Sequence, residues 1–148
     1  MTWGDSLPRN FSWLEVNRLA GSSCPTSELE IRSLIGVGIR HLVTLSVEAQ
    51  PPPFIQLPSA LVHTVIPVRD RKGAQVSDFE QFFELCDQVR DGEGGAVCVH
   101  CRSGRGRTGM FLAAYLMKYS SVLRRTKPCS SNLPKWPWKA CIIGWYIA

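Results

Sequence analysis

The sequence predicts an α/β domain built on a largely parallel sheet with helices on its faces. Short apolar or β-branched runs of strand length alternate along the chain with stretches of helical period, the pattern of strand-helix-strand units. A chain of 148 residues, 45% hydrophobic and 20% charged, is the size of one domain around one core.

The first helix is signalled by Ser27 and Glu30, at capping-box spacing, followed by Ile31, Leu34 and Ile35 on one face and ended by Gly36 and Gly38. A strand follows at 40–45, rich in Leu and Val, and Pro51, Pro52 and Pro53 then make a stiff connection to a second strand at 61–66. Ser77 with Glu80 repeats the capping signal. Val76, Phe79, Phe82, Phe83, Cys86 and Val89 then recur at three- and four-residue spacing until Asp91-Gly92 stops the helix. The third strand is Ala96-Val97-Cys98-Val99-His100. The stretch 110–117 is apolar all round and predicts a buried central helix beginning at Gly106. From Ser120 the pattern fails, since Pro128, Pro134 and Pro137 exclude a long helix and Trp136, Trp138 and Trp145 follow no period. The expected organisation is one domain over 1–119 and a divergent, basic, Pro/Trp-rich segment over 120–148.

The net charge of +5 sits in that last segment. Residues 1–119 carry 12 of the 17 Lys/Arg and all 12 Asp/Glu and are therefore neutral, which argues against a specific nucleic-acid partner for the body. No apolar run approaches the roughly 18 residues of a membrane span, and residues 1–10 lack the pattern of a secretory signal. The expected location is the cytosol, with the nucleus as a second compartment, and the six cysteines are expected to be reduced thiols.

Chemistry concentrates where the third strand meets the third helix, in His100-Cys101-Arg102-Ser103-Gly104-Arg105-Gly106-Arg107-Thr108-Gly109. A loop at the C-terminal end of a strand, opening a helix, presents inward N–H groups and a helix N-terminus to an anion. Gly104 and Gly106 are expected to permit the tight path, with Arg102, Ser103 and Arg105 completing the phosphate cradle. Arg107 supplies a planar fork for two phosphoryl oxygens, and Cys101 lies at the base, where the same nest favours an anionic sulfur nucleophile. Thr108 is placed to donate its hydroxyl to that sulfur.

The run from His100 to Gly109 resembles the H-C-x-x-G-x-x-R-(S/T)-G signature of the cysteine-dependent protein tyrosine phosphatase superfamily. Asn10-Phe11-Ser12-Trp13, Arg18-Leu19-Ala20-Gly21 and Gly38-Ile39-Arg40-His41-Leu42-Val43-Thr44-Leu45 are similar to the N-terminal half of small atypical dual-specificity phosphatases, and the likeness runs from 10 to about 119. It implies a protein tyrosine phosphatase-like fold and hydrolysis of phosphotyrosine and phosphoserine/phosphothreonine in protein or peptide substrates, with no metal and no cofactor. The C-terminal helices of that fold are expected to be altered here.

The resemblance also asks for a general acid in the form I-P-x-x-D, which Ile66-Pro67-Val68-Arg69-Asp70 matches, so Asp70 is the expected proton donor. Asp78 is the weaker candidate, because an acid at the start of a helix has an electrostatic reason to be there. His100 is expected to orient the loop from behind, and His41 and His63 read as structural members of strands. A Cys98–Cys101 disulfide is disfavoured by strand alternation. Two alternatives remain open at this level. Arg102 and Arg105 occupy positions where a lipid phosphatase of the superfamily carries lysines, which suits phosphoinositides or a 5′-phosphorylated RNA end, and a catalytically weak phospho-binding protein would share the same motif.

Overall fold

The computed structural model describes residues 6–51, 61–69, 73–91 and 94–119. Asp70, most of the proline-rich connection and the whole of 120–148 lie outside them. Five strands and three helices follow in the order β1 (Ser12–Glu15), β2 (Leu19–Ser23), α1 (Glu28–Gly36), β3 (Ile39–Ser46), β4 (Val62–Val68), α2 (Val76–Asp91), β5 (Ala96–Cys101) and α3 (Gly106–Tyr119).

The sheet order is β1-β2-β5-β3-β4. β2, β5, β3 and β4 run parallel and β1 pairs antiparallel with β2, so the expected parallel sheet is present with one reversed edge. β5, the strand that carries the motif, lies in the middle. Sequence periodicity missed β1 and β2. β2 reads Leu19-Ala20-Gly21-Ser22-Ser23, small residues buried on both faces with no alternation to detect. The two are joined by a tight turn in which Arg18 N–H bonds Glu15 O at 3.0 Å and Asn17 takes φ 65°.

Strand alternation sorts the core into two layers. Ala20, Leu42, Ala96 and Cys98 face α1, where Ile31 and Leu34 cover them. Val43, Leu45, Val97, Val99 and Cys101 face α2 and α3, against Phe82, Phe111, Leu112 and Tyr115. The two helices on that side meet through aromatic rings, with Phe79 and Phe82 centred 4.7 and 5.3 Å from Phe111. Cys98 and Cys101 therefore point to opposite faces, as strand alternation required.

Three local expectations are corrected. Ser27 caps α1 through Glu30 N–H at 3.2 Å, but the Glu30 carboxylate reaches Thr26 N–H at 2.6 Å instead of closing the box on Ser27. Ser77 does not cap α2. The helix begins at Val76, two residues before the start a Ser77 cap implies, and Asp78 accepts from Gln75 N–H at 2.9 Å, giving that carboxylate a capping role. Finally, α3 is not buried all round: Phe111, Leu112 and Tyr115 are buried, whereas Met117 is exposed.

Two glycines control how closely the motif approaches the sheet. A Cβ on Gly21 would lie 2.8 Å from Leu112 and 2.9 Å from Thr108, so the absence of a side chain lets the first turns of α3 press on β2. Gly104 has φ 74° and a Cβ there would meet the Ser22–Ser23 peptide at 2.5–2.6 Å. Gly106 differs from the expectation, since a Cβ there meets nothing within 4 Å and its φ is not positive. We therefore expect Gly104→Ala to lower the thermal midpoint by several degrees, the equivalent of about 1–3 kcal/mol, and Gly106→Ala to leave it nearly unchanged; paired calorimetric melts check the contrast.

Candidate active site

The candidate site is the loop 102–105 with the residues on either side of it. Cys101 closes β5 and is 2% exposed, and α3 starts at Gly106 with Arg107 and Thr108 buried in its first turn. Arg102, Ser103, Arg105 and Gly106 are exposed and Gly104 is buried against β2.

Three successive carbonyls, of Cys101, Arg102 and Ser103, are bound by donors outside the loop. His100 Nδ1 lies 3.2 Å from Cys101 O, Cys24 N–H donates to Arg102 O at 3.3 Å, and the Asn10 side-chain amide donates to Ser103 O at 2.7 Å. In a trans peptide the N–H points opposite to the C=O. Each bound carbonyl therefore fixes its peptide plane, so the N–H groups of Arg102, Ser103 and Gly104 point away from these donors, the freedom an anion nest requires. Asn10 achieves this from φ 59°, a conformation asparagine tolerates better than other side-chain-bearing residues.

Arg107 is 5% exposed and its guanidinium is held at two points. Nη1 donates to Glu48 Oε2 and to Val68 O, each at 3.0 Å, and Nη2 donates to Glu48 Oε1. The hydrogen bond from Arg107 is the main cause that draws the Glu48 carboxyl from 4.5 down to about 2. Glu48 sits just past the C-terminal end of β3, and sequence reading did not select it. The signal available was weak: one acid among twelve, in a stretch without period.

The contact with Val68 O also ties the loop to the end of β4. Asp70, the expected general acid, follows two residues later and lies outside the described residues. Thr108 Oγ1 is fully buried and has no hydrogen-bond partner among the described residues, so the expected bond to the Cys101 sulfur is not formed in this state. His100 is fully buried behind the loop, and burial is the chief cause of its fall to about 4, so it is neutral near pH 7. Cys98 is pushed up to about 12 by burial and is an inert core thiol. Among the described residues no cluster of His, Cys, Asp and Glu could hold a metal ion, and no helix is long and apolar enough to cross a membrane.

Residues 8–137 match the family described as Swiss Army Knife protein, DSP-PTPase phosphatase domain. The chain belongs to that family. The match continues beyond residue 119, where the motif-based likeness ended. Dual specificity protein phosphatase 1B of Arabidopsis thaliana is 36% identical over 81 residues, which are 54% of this chain and 46% of that protein. The chain thus spans about half the length of that relative. Among solved structures, the core catalytic domain of the PP-IP phosphatase SIW14 from S. cerevisiae matches with TM-score 0.61 and 17% identity, over 79% of this chain and 72% of that one. PTPMT1 in complex with PI(5)P matches with TM-score 0.58 and 18% identity over 68% of each chain. At such identities these two show the shared fold.

Glu48→Gln should weaken the hold on Arg107 while keeping the side chain's shape. Removing one partner of a fully buried pair costs about 3–5 kcal/mol, and the cost here is smaller because Glu48 is 42% exposed. We expect a loss of roughly tenfold to a hundredfold in kcat/KM on an aryl phosphate, the scale of a misplaced catalytic group. Because the folded-state value of Glu48 is depressed, its contribution to stability is complete above pH 4.5 and is lost as pH falls toward 2. Melts of the parent chain should therefore fall more steeply over that window than those of the variant.

Proposed function

We propose that the chain is a cysteine-dependent dual-specificity protein phosphatase acting on phosphotyrosine and phosphoserine/phosphothreonine, and that within its family it stands nearest to dual specificity protein phosphatase 23. The observation that carries the catalytic reading is the loop's construction: outward-anchored carbonyls between Cys101 and Gly104, followed by a buried Arg107 clamped by Glu48. The proposed catalytic domain covers 1–119, with 120–148 as a divergent extension.

In the proposed mechanism the Cys101 sulfur attacks phosphorus in line with the leaving oxygen, so the S–P bond forms as the P–O bond to the substrate breaks. The amides of 102–106 and the Nε–Nη2 edge of Arg107 receive the charge gathering on the phosphoryl oxygens, while Glu48 and Val68 fix that guanidinium from the other side. Asp70 gives its proton to the leaving oxygen. Asp70 then takes a proton from a water that attacks phosphorus and breaks the S–P bond, returning the thiolate. Thr108, whose buried hydroxyl has no partner among the described residues, donates it to the departing sulfur. His100 supports the first peptide of the loop.

Cys101→Ser should abolish turnover of 4-nitrophenyl phosphate while phosphate still binds, because a serine hydroxyl is scarcely ionised near neutral pH and the nest is unchanged. Asp70→Asn should lower kcat by about 10²–10⁴-fold on phosphothreonine peptides, whose leaving group needs the proton, and less on the activated aryl ester. Equal losses on both would assign Asp70 a structural role. A parent chain that binds phosphopeptides without hydrolysing them would instead identify a phospho-binding protein.

The phosphoinositide reading has an observation in its favour: Arg102 and Arg105 are exposed in the loop, and neither forms an ion pair among the described residues. If further phosphates of an inositol ring engage them, the double substitution Arg102→Ala, Arg105→Ala should reduce phosphoinositide hydrolysis at least tenfold more than phosphotyrosine-peptide hydrolysis. Release assays on both substrates with the same preparations measure the ratio.

A further inference from the structure

We propose that Thr44 and His63 are positioning residues for the reaction at Cys101: they hold His100 in the one tautomer that can donate to the Cys101 carbonyl. The inference rests on the phosphatase reading for its kinetic consequence and on hydrogen-bond geometry and burial for its structural one.

Three side chains on neighbouring strands form an unbroken line. His100 Nε2 lies 2.7 Å from Thr44 Oγ1, and Thr44 Oγ1 lies 2.7 Å from His63 Nε2. The sheet register brings them together. Thr44 pairs directly with His100 across β3 and β5, and His63 pairs with Leu42, two residues before Thr44, across β3 and β4. All three therefore stand on the face away from the Cys101 side chain. Whatever they do to Cys101 passes through its backbone.

Bond polarity along this line has a single consistent direction. The Cys101 carbonyl can only accept, so His100 Nδ1 must carry a proton. His100 is fully buried and neutral near pH 7, so its Nε2 is then an acceptor and takes the Thr44 O–H. Thr44 has only one hydroxyl proton. Its oxygen must accept from the second ring, which makes His63 the Nε2–H donor. Thr44 is itself fully buried, so no solvent competes for its proton. With the opposite tautomer, the His100 Nδ1 lone pair would face the lone pairs of Cys101 O.

The consequence for chemistry follows from peptide planarity. Cys101 O and Arg102 N–H belong to one peptide unit, so a firm bond on the carbonyl fixes the first amide of the nest. Thr44 and His63 lie outside the motif, yet they stand behind the amide nearest the nucleophile. Sequence reading classed His63 as structural and did not consider Thr44.

Two measurements on the full chain test this. The first is a long-range ¹H–¹⁵N correlation spectrum of histidine-labelled protein, which has only three histidines to assign. His100 should appear as the Nδ1–H tautomer and His63 as Nε2–H; a predominant Nε2–H signal for His100 overturns the proposal. The second is kinetics on 4-nitrophenyl phosphate at neutral pH. Thr44→Val, which keeps the shape and removes the hydroxyl, should lower kcat about tenfold with little change in KM and should mix the His100 tautomers. Thr44→Ser should restore kcat to within about twofold of the parent. His63→Leu should cost a smaller factor, about threefold, and His63→Gln, which keeps an N–H donor, should recover it. Unchanged kcat in Thr44→Val, or equal losses in the valine and serine variants, overturns the positioning role. Should Thr44→Val fail to fold, the serine variant and the parent spectrum still decide. A parent chain without turnover would refute the phosphatase reading separately, leaving the tautomer as the test of the relay.

Discussion

Arg107 is a permanent cation whose side chain is almost wholly removed from water, and a guanidinium in that position must have its charge and its donors answered by the protein. The answer comes from two parallel strands that never touch the motif in sequence. Glu48, just beyond β3, takes the charge, and the last carbonyl of β4 takes a further donor. The strand order sets β3 beside β5 and β4 beside β3, and the ends of both reach the Arg107 guanidinium. In a doubly covered parallel sheet the C-terminal ends of the strands open on one side, so a carboxylate, a carbonyl and a helix N-terminus converge there without any long excursion of chain.

The loop itself is held from the opposite flank. Its carbonyls are bound by His100, by the Cys24 amide and by the Asn10 side chain, while Gly104 lets the turn lie directly on the end of β2. The antiparallel β1–β2 hairpin thus has a function beyond covering an edge. It brings residues 9 and 10 to the loop, where Arg9 O also accepts Ser23 N–H at 2.8 Å. Preorganisation of this kind matters because a nest whose amides already point inward needs no reorganisation when charge develops on a phosphoryl group.

Burial acts on the site's groups with different signs. It raises the Cys98 thiol and lowers the His100 imidazole, keeping both neutral, whereas the Arg107 hydrogen bond keeps Glu48 ionised. Cys24, half-buried beside the loop, is pushed up to about 11, chiefly by burial and secondarily by Glu30 and Cys101. With Cys24, Cys98 and His100 kept neutral, the Arg107–Glu48 pair is the ion pair at the loop among the described residues.

The sequence by itself determined the parallel sheet, the helices α1 and α2 to within a residue or two, and the run from His100 to Thr108, because period and contiguous motif are local properties of a chain. It also determined that Cys98 and Cys101 part company, since alternation along a strand is equally local. It did not reveal β1 and β2, whose small buried residues carry no alternation, nor the true cap of α2, where Asp78 serves Gln75 in place of the expected serine. Only the tertiary structure selected Glu48 for Arg107, Asn10 for Ser103 and Thr44 for His100, partners separated by 59, 93 and 56 residues. Each is an ordinary polar residue in an unremarkable stretch, and its meaning comes from which strand end or register position lies beside it. Register is a property of paired strands, so no reading of one strand at a time contains it.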